Sequence, residues 1–183
     1  LGDVYKRQVQ IAPYDYGRKN ADKTEAAEIR QVQLECLKEI PNAGMVVTAD
    51  IGNRTCVHPS DKESVGKRLA LWALAKTYQR SGTPYSGPLY KSFTIDKEKI
   101  IVEFDYAEMG MTSYDREIVG FEIAGKDGIY YPAKAVLFDN KTKVMLTSDQ
   151  VPEPVGVKYG FRNYQPLNLF SNFGLPASPF VAK

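Results

Sequence analysis

One histidine, two cysteines and one tryptophan among 183 residues exclude several kinds of chemistry at the outset. His58 with Cys36 and Cys56 falls one ligand short of a four-coordinate structural zinc site of the Cys/His type, so any metal would rest on carboxylates, and no metal or other cofactor is expected. Two cysteines do not fix a redox compartment. No apolar run approaches the ~20 residues needed to cross a bilayer, so no membrane span is expected. Charge of one sign is equally scarce. Lys and Arg number 24 against 22 Asp and Glu, for a net charge of +2, and the two signs alternate along the chain. With a pI near 8.4 and no basic stripe, nucleic acid is not an expected partner. Internal repeats and low-complexity segments are also lacking. What remains, 43% apolar and 25% charged residues, describes an ordinary globular chain.

The amino end is unusual. "DVYKRQ" (Asp3 to Gln8) matches the translation of a transposon-end adapter used in sequencing libraries, and residues 1–8 read as an adapter scar. The chain is then expected to be the carboxy-terminal part of a longer protein. From Val9 the run "VQIAPYDYG" suits a buried strand ending at Pro13 and Gly17. Asp22 and Glu25 have capping-box spacing, and Ile29, Val32, Cys36, Leu37 and Ile40 recur along one face of a helix that Pro41 stops. "GMVVTAD" is a continuous apolar strand of the kind covered on both faces in a parallel sheet. After a loop, Ser60 and Glu63 repeat the capping pattern, and Val65, Leu69, Trp72 and Ala73 give the next helix its buried stripe. Strand, helix, strand, helix predicts an α/β domain over 9–81.

The period then changes. In "KIIVEFDY", Ile100, Val102, Phe104 and Tyr106 alternate with Ile101, Glu103 and Asp105, as in a half-buried strand. Turn signals at "DKEK", "KDG" and "DNKT" separate "IVGFEIAG", "AKAVLF", "KVMLTS" and "PVGVKYGF". Regularly spaced short strands without helices predict an antiparallel β-sandwich over 82–183, with the boundary in "RSGTPYSGP" (Arg80 to Pro88). The Pro-rich tail "NLFSNFGLPASPF" is expected to pack as irregular chain.

His58 occupies the loop after "GMVVTAD", and in open α/β sheets functional groups gather beyond the carboxyl ends of strands. From position alone two readings stand, a general base presented by an anchored loop and a structural histidine that caps or packs. Other residues offer rival roles. Cys56, two residues away, invites a thiol-protease reading, but no oxyanion motif accompanies it. Asp50 and Asp61 flank His58 and could orient it, or serve in strand-end solvation and helix capping. Trp72 at helical spacing reads as core. Tyr130, Tyr131, Tyr159, Phe161 and Tyr164 could stack on sugar rings or fill a sheet core.

"VQIAPYDYG", "GMVVTADIGNRTCVHPSDKESVGKRLALWALAKTY", "GFEIAGKDGIYYPAKA" and "NLFSNFGLPASPF" together resemble the carboxy-terminal half of bacterial sialate O-acetylesterases, within the SGNH (GDSL-type) hydrolases. The resemblance implies a partial SGNH-type parallel sheet with helices, followed by the β-sandwich. "VHPSDK" before "VGKRLALWAL" is similar to the late histidine block of that family, which implies that His58 is the general base. It also implies a substrate, acetylated sialic acid or a related acetylated glycan, and a periplasmic or secreted parent; an enzymatic rival on the same fold is a xylan-type acetylesterase. A rival of another class is a non-catalytic glycan-binding or interaction module in which the β-rich half acts and His58 is structural. Oligomeric state is not legible.

The chain departs from the family in two ways. The Gly-Asp-Ser nucleophile block, the oxyanion glycine and the oxyanion asparagine have no counterpart; "LGDV" lies in the scar and has valine where serine would stand. The fragment alone is therefore expected to be inactive. In place of the aspartate that often precedes the histidine, this sequence has Thr55, a hydroxyl, and Cys56, a weakly accepting sulfur. A backbone carbonyl of Gly52–Cys56 is therefore expected within about 3.2 Å of His58 Nδ1.

Overall fold

The structure is a computed structural model that describes residues 5–16 and 19–183. Leu1–Val4 of the expected scar, and Gly17 with Arg18 after the first apolar run, lie outside the described residues. Strand β1 (Lys6–Val9) pairs in parallel with β2 (Ala43–Val46), in the register Lys6 to Ala43 through Val9 to Val46. The pairing includes Lys6, Arg7 and Gln8, because ladder bonds are made by backbone groups whatever the side chains. Between these strands runs α1 (Glu25–Glu39), and after β2 comes α2 (Lys62–Trp72), prolonged by a π-helical turn at Ala73–Thr77.

The rest is strand and turn. In chain order follow β3 (Leu89–Asp96), β4 (Lys99–Asp105), β5 (Met111–Thr112), β6 (Phe121–Ala124), β7 (Tyr130–Pro132), β8 (Lys134–Phe138), β9 (Lys143–Thr147), β10 (Gly156–Tyr159), β11 (Phe170–Ser171) and β12 (Phe180–Ala182). They form antiparallel sheets in the orders β3-β4-β9-β8 and β12-β10-β6-β7, plus the small pair β11-β5. The fold is thus mixed α/β, with few helices and several antiparallel sheets. Ile100, Val102 and Phe104 of β4 are buried, as the alternation predicts, and join Val144 and Leu146 of β9 in the core. The same core holds Ile123, Val157 and Phe180 of the other four-stranded sheet.

That core does not stop at the expected boundary. Leu34 of α1 and Met45, Val47 and Ala49 of the β2 run belong to the same buried cluster as the β-rich half. Residues 80–88 connect the π-helical turn to β3. Hydrogen bonds also cross between the halves: Gln10 Nε2 donates to Ser178 Oγ at 3.0 Å, and the Val181 amide to Gln31 Oε1 at 3.2 Å.

Three local expectations are corrected. Helix α1 buries Ala26, Ala27, Arg30 and Leu34, whereas Ile29 and Val32 face outward, half or more exposed. The inward face differs from the expected one because small side chains, which let the helix approach closely, and an arginine occupy the inward positions. Arg30 donates to the Arg162 carbonyl, and burial holds its guanidinium down at about 10. The start of α1 is not closed by an Asp22–Glu25 capping box. The buried Asn163 accepts from the Ala26 amide (2.8 Å) and donates to Glu25 (2.9 Å), while Asp22 pairs with Arg162 at 2.7 Å. The tail, expected to be irregular, contributes β11 and β12, and Phe180 is fully buried.

Candidate active site

The His58 loop begins where β2 runs out. Beyond Val46, Val47, Thr48 and Ala49 stay buried, Thr48 Oγ1 donates to the Gln10 carbonyl at 2.8 Å, and the Ile51 amide closes a turn onto Thr48. Asp50 does not reach the histidine. It holds Arg68 of α2 in a bidentate pair at 2.8 and 2.6 Å, and Arg68 Nη1 also donates to the Val47 carbonyl at 2.8 Å. Both side chains are nearly buried, so this pair clamps the end of the strand to the helix that carries the far end of the loop.

The middle of the loop folds on Asn53. Its Oδ1 accepts from the amides of Thr55 (2.8 Å) and Cys56 (3.1 Å) and from the Thr55 hydroxyl (3.1 Å). This is an Asx turn, in which a side-chain amide replaces a backbone turn acceptor. The segment after β1 buttresses it: the Asn53 amide donates to the Pro13 carbonyl (3.1 Å), and the Asp15 amide to the Arg54 carbonyl (3.3 Å). Asp15 is itself buried and pairs with Arg54 at 3.4 Å. Position 52 is tight, since a Cβ there would sit 2.5 Å from the Pro13 carbonyl oxygen. Glycine suits such a close backbone approach.

The far end is fixed by Asp61 rather than by the expected Ser60–Glu63 box. Asp61 Oδ1 accepts from the Ser64 amide (2.9 Å) and Oδ2 from the Ser64 hydroxyl (2.7 Å). These bonds, hydroxyl first, hold its carboxyl below the usual aspartate range. Behind the helix, Trp72 lies in the core, its indole N–H on the Met45 carbonyl at 2.9 Å, and it fills the space that Gly44 leaves open.

His58 therefore projects into solvent from a loop tied down at both ends and in the middle. Neither of its ring nitrogens has a hydrogen-bond partner among the described residues. This corrects the expected orienting contact: no carbonyl of Gly52–Cys56 accepts from Nδ1. The four candidate orienting groups are engaged elsewhere, Asp50 with Arg68, Asp61 with Ser64, Thr55 with Asn53, and Cys56 Sγ toward the His58 carbonyl at 3.3 Å. Cys56 and Cys36 are both free thiols. Among the described residues no group of three or more His, Cys, Asp and Glu side chains is arranged to hold a metal ion. Of the aromatics considered for sugar stacking, Tyr159 is wholly buried and packs against Phe121, while Tyr130 lies under Lys158 Nζ at 4.4 Å.

Asn53, Arg68 and Asp15 are the residues of this neighbourhood that the sequence reading passes over. "NRT" does carry an Asx-turn signal, an asparagine two residues before a small polar one. Arg68 has none, because an arginine at a buried helical position looks like any surface arginine.

No family model matches the chain. The fold is similar to that of a carbohydrate acetylesterase from Xanthomonas citri known from its crystal structure, with a TM-score of 0.88 and 34% identity, covering 97% of this chain and 40% of that one. The sequence is also similar to the sialate O-acetylesterase of Mus musculus, 26% identical over 158 residues, which is 79% of this chain and 29% of that protein. The likeness is thus to sialate O-acetylesterase-like carbohydrate esterases, and both relatives are by name acetylesterases. The chain spans less than half the length of either.

Proposed function

We propose that the chain is the carboxy-terminal part of a serine carbohydrate O-acetylesterase of the SGNH type, in which His58 is the general base. The observation that carries the reading is the exposed imidazole of His58, without a partner among the described residues and held beyond the carboxyl end of β2 by a braced loop. A base needs both ring nitrogens available, one for the nucleophile and one for an orienting acceptor. Likeness to two acetylesterases supports the reaction class. In this reading the β1–β2 pair is the end of a longer parallel sheet, and the two larger antiparallel sheets are an accessory β-sandwich. The apolar surface left open at Val9, Ile29 and Val32 is consistent with cover by further parts of the parent.

In the reaction, a serine supplied by the rest of the enzyme attacks the acetyl carbonyl while His58 takes the hydroxyl proton. The imidazolium returns that proton to the sugar oxygen as the C–O bond breaks. His58 then deprotonates a water that attacks the acyl-serine, and as the acyl C–O bond breaks the imidazolium returns that proton to the serine oxygen and acetate leaves. Since Thr55, Cys56, Asp50 and Asp61 are engaged elsewhere, the acceptor for the second ring nitrogen comes from outside these four groups. The substrate proposed is an O-acetylated sialic acid or a related acetylated glycan.

The test is to extend the gene upstream, look for a Gly-Asp-Ser block, and measure acetate release by the longer protein on acetylated sialosides and acetylated xylan. Release from sialosides that is abolished by serine-reactive inhibitors is expected. Release from xylan alone would move the substrate, and no release from either, with the Gly-Asp-Ser block lacking, would remove the esterase reading.

A further inference from the structure

Two hollows flank Tyr106, the residue that follows β4. One, of about 270 Å³, lies near the start of β2 between α1, Trp72 and the β3–β4 hairpin, with Gln31, Glu35, Tyr90 and Asp105 among its walls. The other, of about 310 Å³, is lined by Tyr85, Glu108 and Phe173. Tyr106 belongs to both. The first lies at the opposite end of the β2 run from the His58 loop.

Three observations point to a ligand here. Tyr106 sits at φ 62, in the left-handed region that a bulky residue rarely adopts, and such outliers concentrate where a side chain must be presented. Its ring is braced from behind: Tyr85 meets it edge-on at 5.4 Å, and Trp72 meets Tyr85 at 4.7 Å. Phe173, in the second hollow, is 54% exposed, a large aromatic face left to solvent. Each hollow thus pairs an aromatic wall with exposed carboxylates, Glu35 and Asp105 in one and Glu108 in the other.

Aromatic faces match the apolar C–H faces of a pyranose, and carboxylates and side-chain amides accept from or donate to its hydroxyls. Hollows of about 270 and about 310 Å³, just below and just above the roughly 300 Å³ lower bound of small-molecule sites, suit one ring apiece. Charge narrows the class further. Three carboxylates face two ammonium groups, Lys38 and Lys76, the latter with its Nζ 4.4 Å over the Tyr85 ring, so little net charge is left to select a charged ligand. We propose that the surface centred on Tyr106 is a binding groove for a neutral oligosaccharide, with one sugar ring in each hollow. The inference does not depend on the role of His58.

The test is an amide-shift NMR titration of the 183-residue chain with cellotetraose, xylotetraose and chitotetraose, with sialyllactose and tetralysine as comparators, each to about 10 mM, the range of weak single-site binding. At least one neutral tetrasaccharide is expected to shift Asp105, Tyr106 and Glu108 amides and to leave those of residues 51–61 unmoved. Tyr106→Ala should raise its Kd about tenfold. The double variant Glu35→Gln/Asp105→Asn, confined to exposed side chains and so safe for folding, should raise Kd at least about threefold with Tm unchanged. Absence of binding by all three neutral sugars, tighter binding of sialyllactose or tetralysine, or affinity unaltered in the double variant would overturn the proposal.

Discussion

Replacing Asp50 by Asn keeps the shape of the side chain and one acceptor oxygen but removes its charge, leaving Arg68 ionised without a counter-ion in a nearly dry setting. The side chains of Arg68 and Asp50 are only 10% and 15% exposed, which puts the pair in the buried rather than the surface regime. Removing one partner of such a pair costs about 3–5 kcal/mol, because the remaining charge is left without compensation. For a chain of this length each kcal/mol corresponds to roughly 2–4 °C, so Tm should fall by about 6–20 °C. Arg68→Met should cost a similar amount, since it strands the Asp50 carboxylate. The double variant Asp50→Leu/Arg68→Met should recover most of the loss, as apolar replacement of a whole buried pair is often near neutral. The assay is thermal melting with urea titration of Asp50→Leu, Arg68→Met and their double variant, read as a double-mutant cycle. A single variant within about 1 kcal/mol of the parent, or a double variant whose loss equals the sum of the singles, would refute the clamp and with it the account of how the His58 loop is anchored.

Three further outcomes follow from the same geometry. Asn163→Ala should cost about 1–2 kcal/mol and speed hydrogen exchange in the first turn of α1, where the Ala26 amide loses its acceptor; unchanged exchange there would contradict the cap. Gly44→Ala places a Cβ 2.5 Å from Trp72 Cε3 and should lower stability by roughly 1–3 kcal/mol in a melt, with no effect expected only if the indole can retreat. The Asp61 carboxyl is held below its ordinary value of 3.8, so its cap contributes fully above that value and is lost as pH falls through the lower folded one. Exchange in the first turn of α2 should therefore accelerate only in acid, and Asp61→Asn, which keeps an acceptor but cannot titrate, should abolish the dependence.

How much of this was legible depended on whether the cause was local. The alternation of Ile100, Val102 and Phe104 reports a sheet with one face in the core, and the structure buries those residues. The unbroken run at 44–49 is buried throughout, and the position of His58 beyond it follows from chain order alone. The start of α1 was not legible, because its cap, Asn163, is 137 residues from Ala26. Nor was its inward face, where Ala26, Ala27 and Arg30 outrank Ile29 and Val32 for reasons of fit against elements far along the chain. At the candidate site, the sequence put Thr55, Cys56, Asp50 and Asp61 near His58. It could not say that each would be engaged elsewhere, since the competing partners Asn53, Arg68 and Ser64 are chosen by the folded loop.

The central claim is that His58 is a base and not a packing residue. Its side chain is exposed and has no partner among the described residues, so His58→Ala should leave the melting curve unchanged. In the upstream-extended enzyme the same substitution should lower kcat for acetate release by about three orders of magnitude or more, the scale of triad knockouts. The measurement is kcat and Tm on the same preparation of the variant. A large loss of kcat at constant Tm is the expected result; near-normal kcat, or a loss that merely follows a fall in Tm, would contradict the assignment.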